Sequence, residues 1–357
     1  MAVVVLLSGA VPTLVFAQAL SPAETPRGLE ILLLGTHGGP ALVEQRLEPA
    51  TLLIVDGRPY LIDCGIGTMR RLVDARVPSE TIGTIFITHN HPDHALGLAD
   101  VLANDYHHVA LDEPEGRPAF NIYGPPQTPA LVSVAWDFIK IPYAIFAAEP
   151  IGRGELMDPF HAHAIDRDGL VYQDDKIRVM AAENTHYQLI PAKYHATMKS
   201  FSYRFETRYG SVVFTGDTGP SSRVEALAKD ADVLITEVED LDSIENSERP
   251  NAHREAGNKI LEHMRTEHLP INAVGELATK AQVKAVILDH FLGGLDGEGF
   301  VAGVKKWYSG PVFAGADLAR YCMVGDAAGG AAQGTTSGAD GSASPSAGSG
   351  LTLRPCQ

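Results

Sequence analysis

The sequence predicts an α/β protein whose core is two β-sheets covered by helices. Three observations carry this. Short apolar runs separated by turn residues open the chain as hairpins, later apolar runs alternate with helical patterns, and many of the runs stop at a residue capable of chemistry. Apolar residues make up 45% of the 357 and charged residues 20%, the balance of an ordinary globular chain.

Leu29–Leu34 has strand length and leads into Gly35-Thr36-His37-Gly38-Gly39. Thr51–Val55 and Tyr60–Ile62 flank Asp56-Gly57, a hairpin signal. Thr68–Ala75 has helical spacing, Thr84–Ile87 is a strand run ending at Thr88-His89, and a helical pattern covers His94–Leu102. Residues 104–170 hold many prolines and aromatics and the pairs His107-His108 and His161/His163; a helix is expected near Ala130–Phe146. That region reads as a large connection packed on the core, and equally as a pocket wall or lid. Lys176–Ala182 runs toward His186. Ser200–Thr207 and Ser211–Thr215 flank Tyr209-Gly210, the second run ending at Gly216-Asp217. Val233–Ile235 ends at Thr236-Glu237 and Ala285–Leu288 at Asp289-His290, with helical patterns over Arg223–Lys229, Glu255–Glu267 and Ile271–Ala281.

The termini differ from this body. Residues 1–19 form an apolar stretch with Ala17-Gln18-Ala19 at the expected place for signal-peptide cleavage, although the first basic residue is Arg27. We therefore expect export to the periplasm or beyond, a linker over 20–28 and a folded domain over 29–324. Residues 325–357 are mostly Gly, Ala and Ser, too little apolar surface to offset ordering entropy, and are expected to be disordered. Cys322 and Cys356 bracket this tail, and an oxidising compartment would permit a bridge between them; Cys64 is expected to stay buried and free. No segment after the first reads as long and apolar enough to span a membrane. Acidic residues outnumber basic ones 44 to 28, a net charge of −16 that disfavours nucleic acid as the main partner.

The strongest chemical signal is His89-Asn90-His91-Pro92-Asp93-His94, directly after an apolar strand. Packing three imidazoles and a carboxylate into a core without partners would be costly, and a solvated loop needs no such density. Metal binding explains it. One segment cannot close a two-metal site, and His186, Asp217 and His290, each near a strand end, are candidates to complete it. Taken singly, either histidine is equally a hydrogen-bonded loop residue, and Asp217 equally a turn or helix N-cap.

The order of these motifs resembles the metallo-β-lactamase superfamily over about residues 29–320. That resemblance implies an αββα sandwich with the site at one edge of its sheets. It implies one metal on His89, His91 and His186, a second on Asp93, His94 and His290, and Asp217 bridging. Asp63-Cys64-Gly65-Ile66-Gly67-Thr68 and Phe214-Thr215-Gly216-Asp217-Thr218 followed by Pro220-Ser221 resemble the RNase Z and arylsulfatase branch. In that branch a histidine at the place of His268 assists catalysis at the scissile group. Two departures stand out. Thr236-Glu237-Val238-Glu239 replaces the branch's His-Glu-Ala-Thr, and only 31 residues separate His186 from Asp217, where RNase Z enzymes carry a tRNA-gripping arm.

The expected function is metal-dependent hydrolysis of a small ester: phosphodiester, sulfate ester, lactone or carboxylic ester. Two divalent ions, zinc before manganese or iron, would activate a bridging water as hydroxide. Asp93 would orient the water and His268 would assist the leaving group. Asp63 and Glu237 would orient ligand histidines, or merely satisfy turn and strand-end hydrogen bonds. His37 would line the cleft. A mononuclear-iron sulfur dioxygenase and a β-lactamase-like amide hydrolase are the alternative activities. The expected partner is a small molecule, with homodimer formation open.

Overall fold

The computed structural model describes residues 28–111, 120–149, 158–248, 255–325 and 351–356. In chain order its main elements are β1 (Leu29–Gly35), β2 (Ala50–Val55), β3 (Arg58–Ile62), α1 (Thr68–Asp74), β4 (Thr84–Phe86), α2 (Pro92–Ala95), α3 (Leu98–Leu111), β5 (Phe120–Gly124), α4 (Thr128–Ala148), β6 (Phe160–Ala164), β7 (Gly169–Gln173) and β8 (Ile177–Glu183). There follow β9 (Phe201–Thr207), β10 (Gly210–Phe214), α5 (Ser222–Ala228), β11 (Val233–Glu239), α6 (Leu241–Glu248), α7 (Glu255–Glu267), α8 (Ile271–Lys280), β12 (Val286–Leu292), α9 (Gly297–Val304), β13 (Val312–Ala314), β14 (Arg320–Gly325) and β15 (Leu351–Pro355).

The strands form two sheets, ordered β15-β14-β1-β2-β3-β4-β5-β6 and β13-β12-β11-β10-β9-β8-β7. Each joins an antiparallel part to a parallel part, the change falling at β3/β4 in one and β10/β11 in the other. Alternation along β1 shows how the layers are specified. Ile31 and Leu33 point between the sheets, while Leu32 and Leu34 point to the helices on the outer face. Phe86 centres the inter-sheet core, its ring 5.2 Å from Phe205 and 5.4 Å from Tyr123. The outer face of one sheet is covered by α1, α3 and α4, and that of the other by α5, α8 and α9. The result is the expected αββα sandwich.

The helical pattern over His94–Leu102 splits into α2 and α3. Between them Gly97 lies so close to the next loop that a Cβ there would stand 2.1 Å from the Gly65 carbonyl oxygen. The described parts of 104–170 extend the first sheet through β5 and β6 and lay α4 over it; none carries a residue of the cluster below. The membrane expectation needs correction. By length and composition α4 qualifies as a span, with mean hydropathy 1.5 over its apolar window. One face, including Val132, Trp136 and Ile139, packs on the core, whereas Val134, Phe138, Ile141 and Ile145 stand exposed on the other.

The tail also departs from expectation. Its last described residues return as β15, pair with β14 and bury Leu353, and Cys322 is bridged to Cys356; Cys64 is free and buried. A strand with only two leucines gives little signal alone, and its order comes from a partner strand and a covalent tie. Residues 1–27, where the cleavage site is expected, and 326–350 lie outside the described residues.

The bridge joins residues 34 apart in sequence. Removing such a constraint costs about 3–4 kcal/mol. We therefore expect Cys322→Ser, or removal of residues 326–357, to lower the thermal midpoint by about 5–10 °C. An unchanged midpoint in scanning calorimetry would show that β15 adds nothing to the fold.

Candidate metal centre

The site lies where strand ends from both sheets meet. Beyond β4 the chain carries His89 and His91, and Pro92 then starts the one-turn helix α2, bringing Asp93 and His94 back over the strand end. His186 follows β8, Asp217 follows β10, and His290 sits within β12. At His290 the backbone turns to φ 42°, and at Asp63, just past β3, to φ 56°. Both conformations are costly for residues with a Cβ and fall at positions that aim a polar side chain inward.

Two groups of four result. Suitable atoms of His89, His91, His186 and Asp217 lie within 4.8 Å of one another, as do those of Asp93, His94, Asp217 and His290. Asp217 belongs to both. Its carboxylate lies 3.2 Å from His290 Nε2, 3.3 Å from His94 Nε2, 3.7 Å from His89 Nε2 and 3.8 Å from His186 Nε2. All seven residues expected to bind metal are thus gathered.

The donor set fits divalent cations. His89 Nε2, His94 Nε2 and Asp217 Oδ1 are buried and have no hydrogen-bond partner. Buried polar atoms left so are expensive, and imidazole nitrogens with carboxylate oxygens are common ligands of zinc, manganese and iron. Burial is the main effect on His89 and His186 and pushes both pKa values well down, favouring the neutral imidazole that ligates metal. Burial also opposes charge on His94 and His290, but there nearby carboxylates, Asp217 foremost, outweigh it and raise both. Burial likewise works against ionised Asp217, yet His290, His94 and His89 together hold its pKa well below the usual range.

Two of the ligand histidines, His94 and His186, are held from their far side. Asp63 accepts from His94 Nδ1 at 2.8 Å and from the Thr88 amide at 2.7 Å, tying the ligand turn to the end of β4. His186 Nδ1 donates to the Glu267 carbonyl at 2.9 Å. Glu237 accepts from His268 Nδ1 at 2.6 Å and from the Thr218 amide beside Asp217.

His268 is buried, and its Nε2 faces His263 Nε2 at 3.3 Å; His263 Nδ1 in turn donates to Glu267 at 2.5 Å. Sequence reasoning missed His263, because five residues along the chain is not a helical-neighbour spacing and the contact forms only as α7 ends. From sequence, Gly38 and Gly39 read only as part of a glycine-rich loop. A Cβ on Gly38 would lie 2.6 Å from the His290 ring, so only glycine fits, and the Gly39 amide donates to Asp93 Oδ2 at 2.8 Å. His37 turns its Nε2–H to the Ala41 carbonyl at 3.1 Å and braces this loop, whose next residue, Gly38, packs against His290.

This fold and site define a metallo-hydrolase. Residues 58–291 match the family model described as a beta-lactamase superfamily domain, and the chain belongs to the metallo-β-lactamase superfamily. Among its sequence relatives is the Ribonuclease Z of Mycobacterium avium, 27% identical over 297 residues that cover 82% of this chain and 97% of that protein. Its relatives place it in the RNase Z branch. Among solved structures, the metallo-β-lactamase fold protein YhfI of Bacillus subtilis superposes with a TM-score of 0.58 at 15% identity, covering 83% of this chain and 99% of that one. The short form of human tRNase Z superposes with a TM-score of 0.54 at 21% identity, covering 82% and 98%.

Asp217→Ala is expected to empty both metal positions, since it alone belongs to both groups. His268→Ala is expected to keep the metal content of the parent. Elemental analysis of the two purified variants checks this; metal loss in His268→Ala would make that residue a ligand.

Proposed function

We propose that the protein hydrolyses small phosphodiesters and related esters at a pair of divalent cations, with zinc the ion best suited to the donors. The shared carboxylate of Asp217, surrounded by buried imidazole nitrogens that lack partners, is the observation that carries this reading. A complete second group of ligands favours two ions over the single iron of a sulfur dioxygenase. Cations held there would bring water near neutral pKa and polarise the oxygen of the bond to be cleaved.

The chain's own residues supply the rest. Asp93, whose carboxylate His94 and His290 hold ionised against burial and whose Oδ2 accepts from the Gly39 amide, would orient the attacking water. Asp63 fixes His94 by its Nδ1, leaving Nε2 turned toward Asp217. His268 carries the proton for the leaving oxygen. Burial disfavours its charge, but Glu237 outweighs burial and raises its pKa. From His268 Nε2 a line of hydrogen bonds leads to half-exposed His263, a route for restoring the proton.

Cleavage of RNA is the second reading, and relatives named Ribonuclease Z favour it against the expectation from charge. We prefer small substrates. The net charge is −16, and the interval between His186 and Asp217 holds only the loop over 187–200, β9 and β10.

Metal-loaded enzyme should hydrolyse bis(p-nitrophenyl) phosphate and lose that activity on chelation, while cleaving precursor tRNA poorly. Efficient, site-specific tRNA 3′-end maturation would contradict the preference. His268→Ala should lower kcat by about 100- to 10,000-fold on substrates with poor leaving groups, and less where the leaving group needs no proton. Full activity on poor leaving groups would remove His268 from the mechanism.

We also infer export, from the Ala17-Gln18-Ala19 pattern and from a Cys322–Cys356 bridge that suits an oxidising compartment. N-terminal sequencing should find exported protein beginning near Ala17–Leu20. Mature protein retaining Met1 would count against it.

A further inference from the structure

We propose that Tyr187 is a positioning residue for one of the two metal ions, its ring holding the imidazoles of His89, His91 and His186 in ligating orientation. This rests on the two-metal reading above and goes beyond it, because the two positions then differ in what holds them.

Tyr187 follows His186 directly, and its ring meets three imidazoles. The centroids lie 5.2 Å from His186, 5.1 Å from His91 and 5.8 Å from His89. The His186 ring is within 29° of parallel to the phenol, while His91 and His89 stand at 65° and 76° to it. Aromatic rings attract at such spacings and angles. These three histidines are the imidazole ligands of a single group, the one completed by Asp217. Among the described residues no ring contact joins Tyr187 to His94 or His290 of the other group.

An aromatic side chain beside a ligand is most simply explained as core packing, but Tyr187 does not sit in the core. It is half-buried and belongs to none of the three apolar clusters. It lines a cavity of about 390 Å³ whose other walls include Glu183, Lys199 and Arg223. The backbone on both sides of it is fixed. The His186 amide donates to Asn184 Oδ1 at 3.1 Å, the Gln188 side-chain amide to the Thr266 carbonyl at 2.6 Å, and the Leu189 amide to the Glu267 carboxylate at 2.7 Å. The ring is thus anchored to the end of α7, independently of the histidines it meets.

His91 most needs such a support. Asp63 holds His94 from behind, and the Glu267 carbonyl holds His186. Among the described residues the His91 ring makes one hydrogen bond, 3.0 Å from its Nδ1 to His186 Nε2, the nitrogen that faces Asp217. A metal ion held by both nitrogens would replace that bond, leaving the His91 imidazole no hydrogen bond to orient it. Packing against Tyr187 supplies the orientation instead. Groups that orient a ligand without touching the metal commonly set its affinity by one to two orders of magnitude, about 10- to 100-fold.

The test compares the full-length parent with Tyr187→Phe and Tyr187→Ala, with Leu189→Ala as a control in the same loop. Metal-free protein is titrated with zinc against a chromophoric chelator, and anomalous diffraction locates the ions. We expect the parent, Tyr187→Phe and Leu189→Ala to bind two ions alike. Tyr187→Ala should bind one ion as the parent does and the other about 10- to 100-fold more weakly. The weakened peak should be the one among His89, His91 and His186, with the thermal midpoint of the metal-free protein unchanged. Should Tyr187→Ala fail to fold, Tyr187→Leu, which keeps an apolar side chain there, is expected to show the same selective loss. Two ions at parental affinity in the ring-less variant would overturn the proposal and leave the hydrolase reading standing. Equal weakening of both ions would overturn it too, as would a Tyr187→Phe variant as weak as Tyr187→Ala. Selective loss in a protein whose parent turns over no ester would support the proposal and sink the hydrolase reading. A parent that binds a single ion would overturn both.

Discussion

Asp217 is a carboxylate buried to 2% exposure, and removing such a charge from water is affordable only if positive charge replaces the solvent. Four imidazoles from both sheets approach it within 3.8 Å, and two of them, His94 and His290, are held by further carboxylates. Among the described residues, every ion-pair partner of Asp217 is a histidine, whose charge is not permanent. The arrangement is balanced when cations occupy the two groups that share Asp217, with the imidazoles neutral and their nitrogens directed at metal.

That requirement explains much of the architecture. Asp217 can be reached from both sides only if the ends of β4, β8, β10 and β12 converge, which needs two sheets packed face to face with their parallel parts running the same way to one edge. The inter-sheet core around Phe86 sets that spacing, since β4 delivers His89 and His91 within five residues of it. Close approaches at Gly38 and Gly97 let neighbouring loops touch the ligand turns without side chains between them. Asp63 and the Glu267 carbonyl then fix His94 and His186 from behind, so these ligands are preorganised by hydrogen bonds made elsewhere in the fold, while Glu237 fixes His268, which is not a ligand.

Much of this was legible in the sequence because it is local. His89 to His94 is a contiguous motif, and the remaining ligands each follow or interrupt an apolar run whose length and alternation mark a strand. What stayed illegible depends on distant pairing. β6 reads Phe-His-Ala-His-Ala, too polar to stand out, and becomes a strand because β5 offers a parallel partner. β15 is ordered by β14 and a disulfide. The contacts of Gly38 with His290 and of His263 with His268 join elements that no spacing rule connects. On α4 the composition shows an apolar helix but not which face the core covers, and the exposed stripe emerges only from the packing.

The central claim is that Asp217 is shared by two metal ions. Anomalous diffraction from crystals of the metal-loaded protein, collected on both sides of the metal absorption edge, tests it most directly. The account predicts two separate peaks, one among His89, His91, His186 and Asp217 and the other among Asp93, His94, Asp217 and His290. A single peak at full occupancy, or a peak among Asp217, Glu237 and His268, would contradict it.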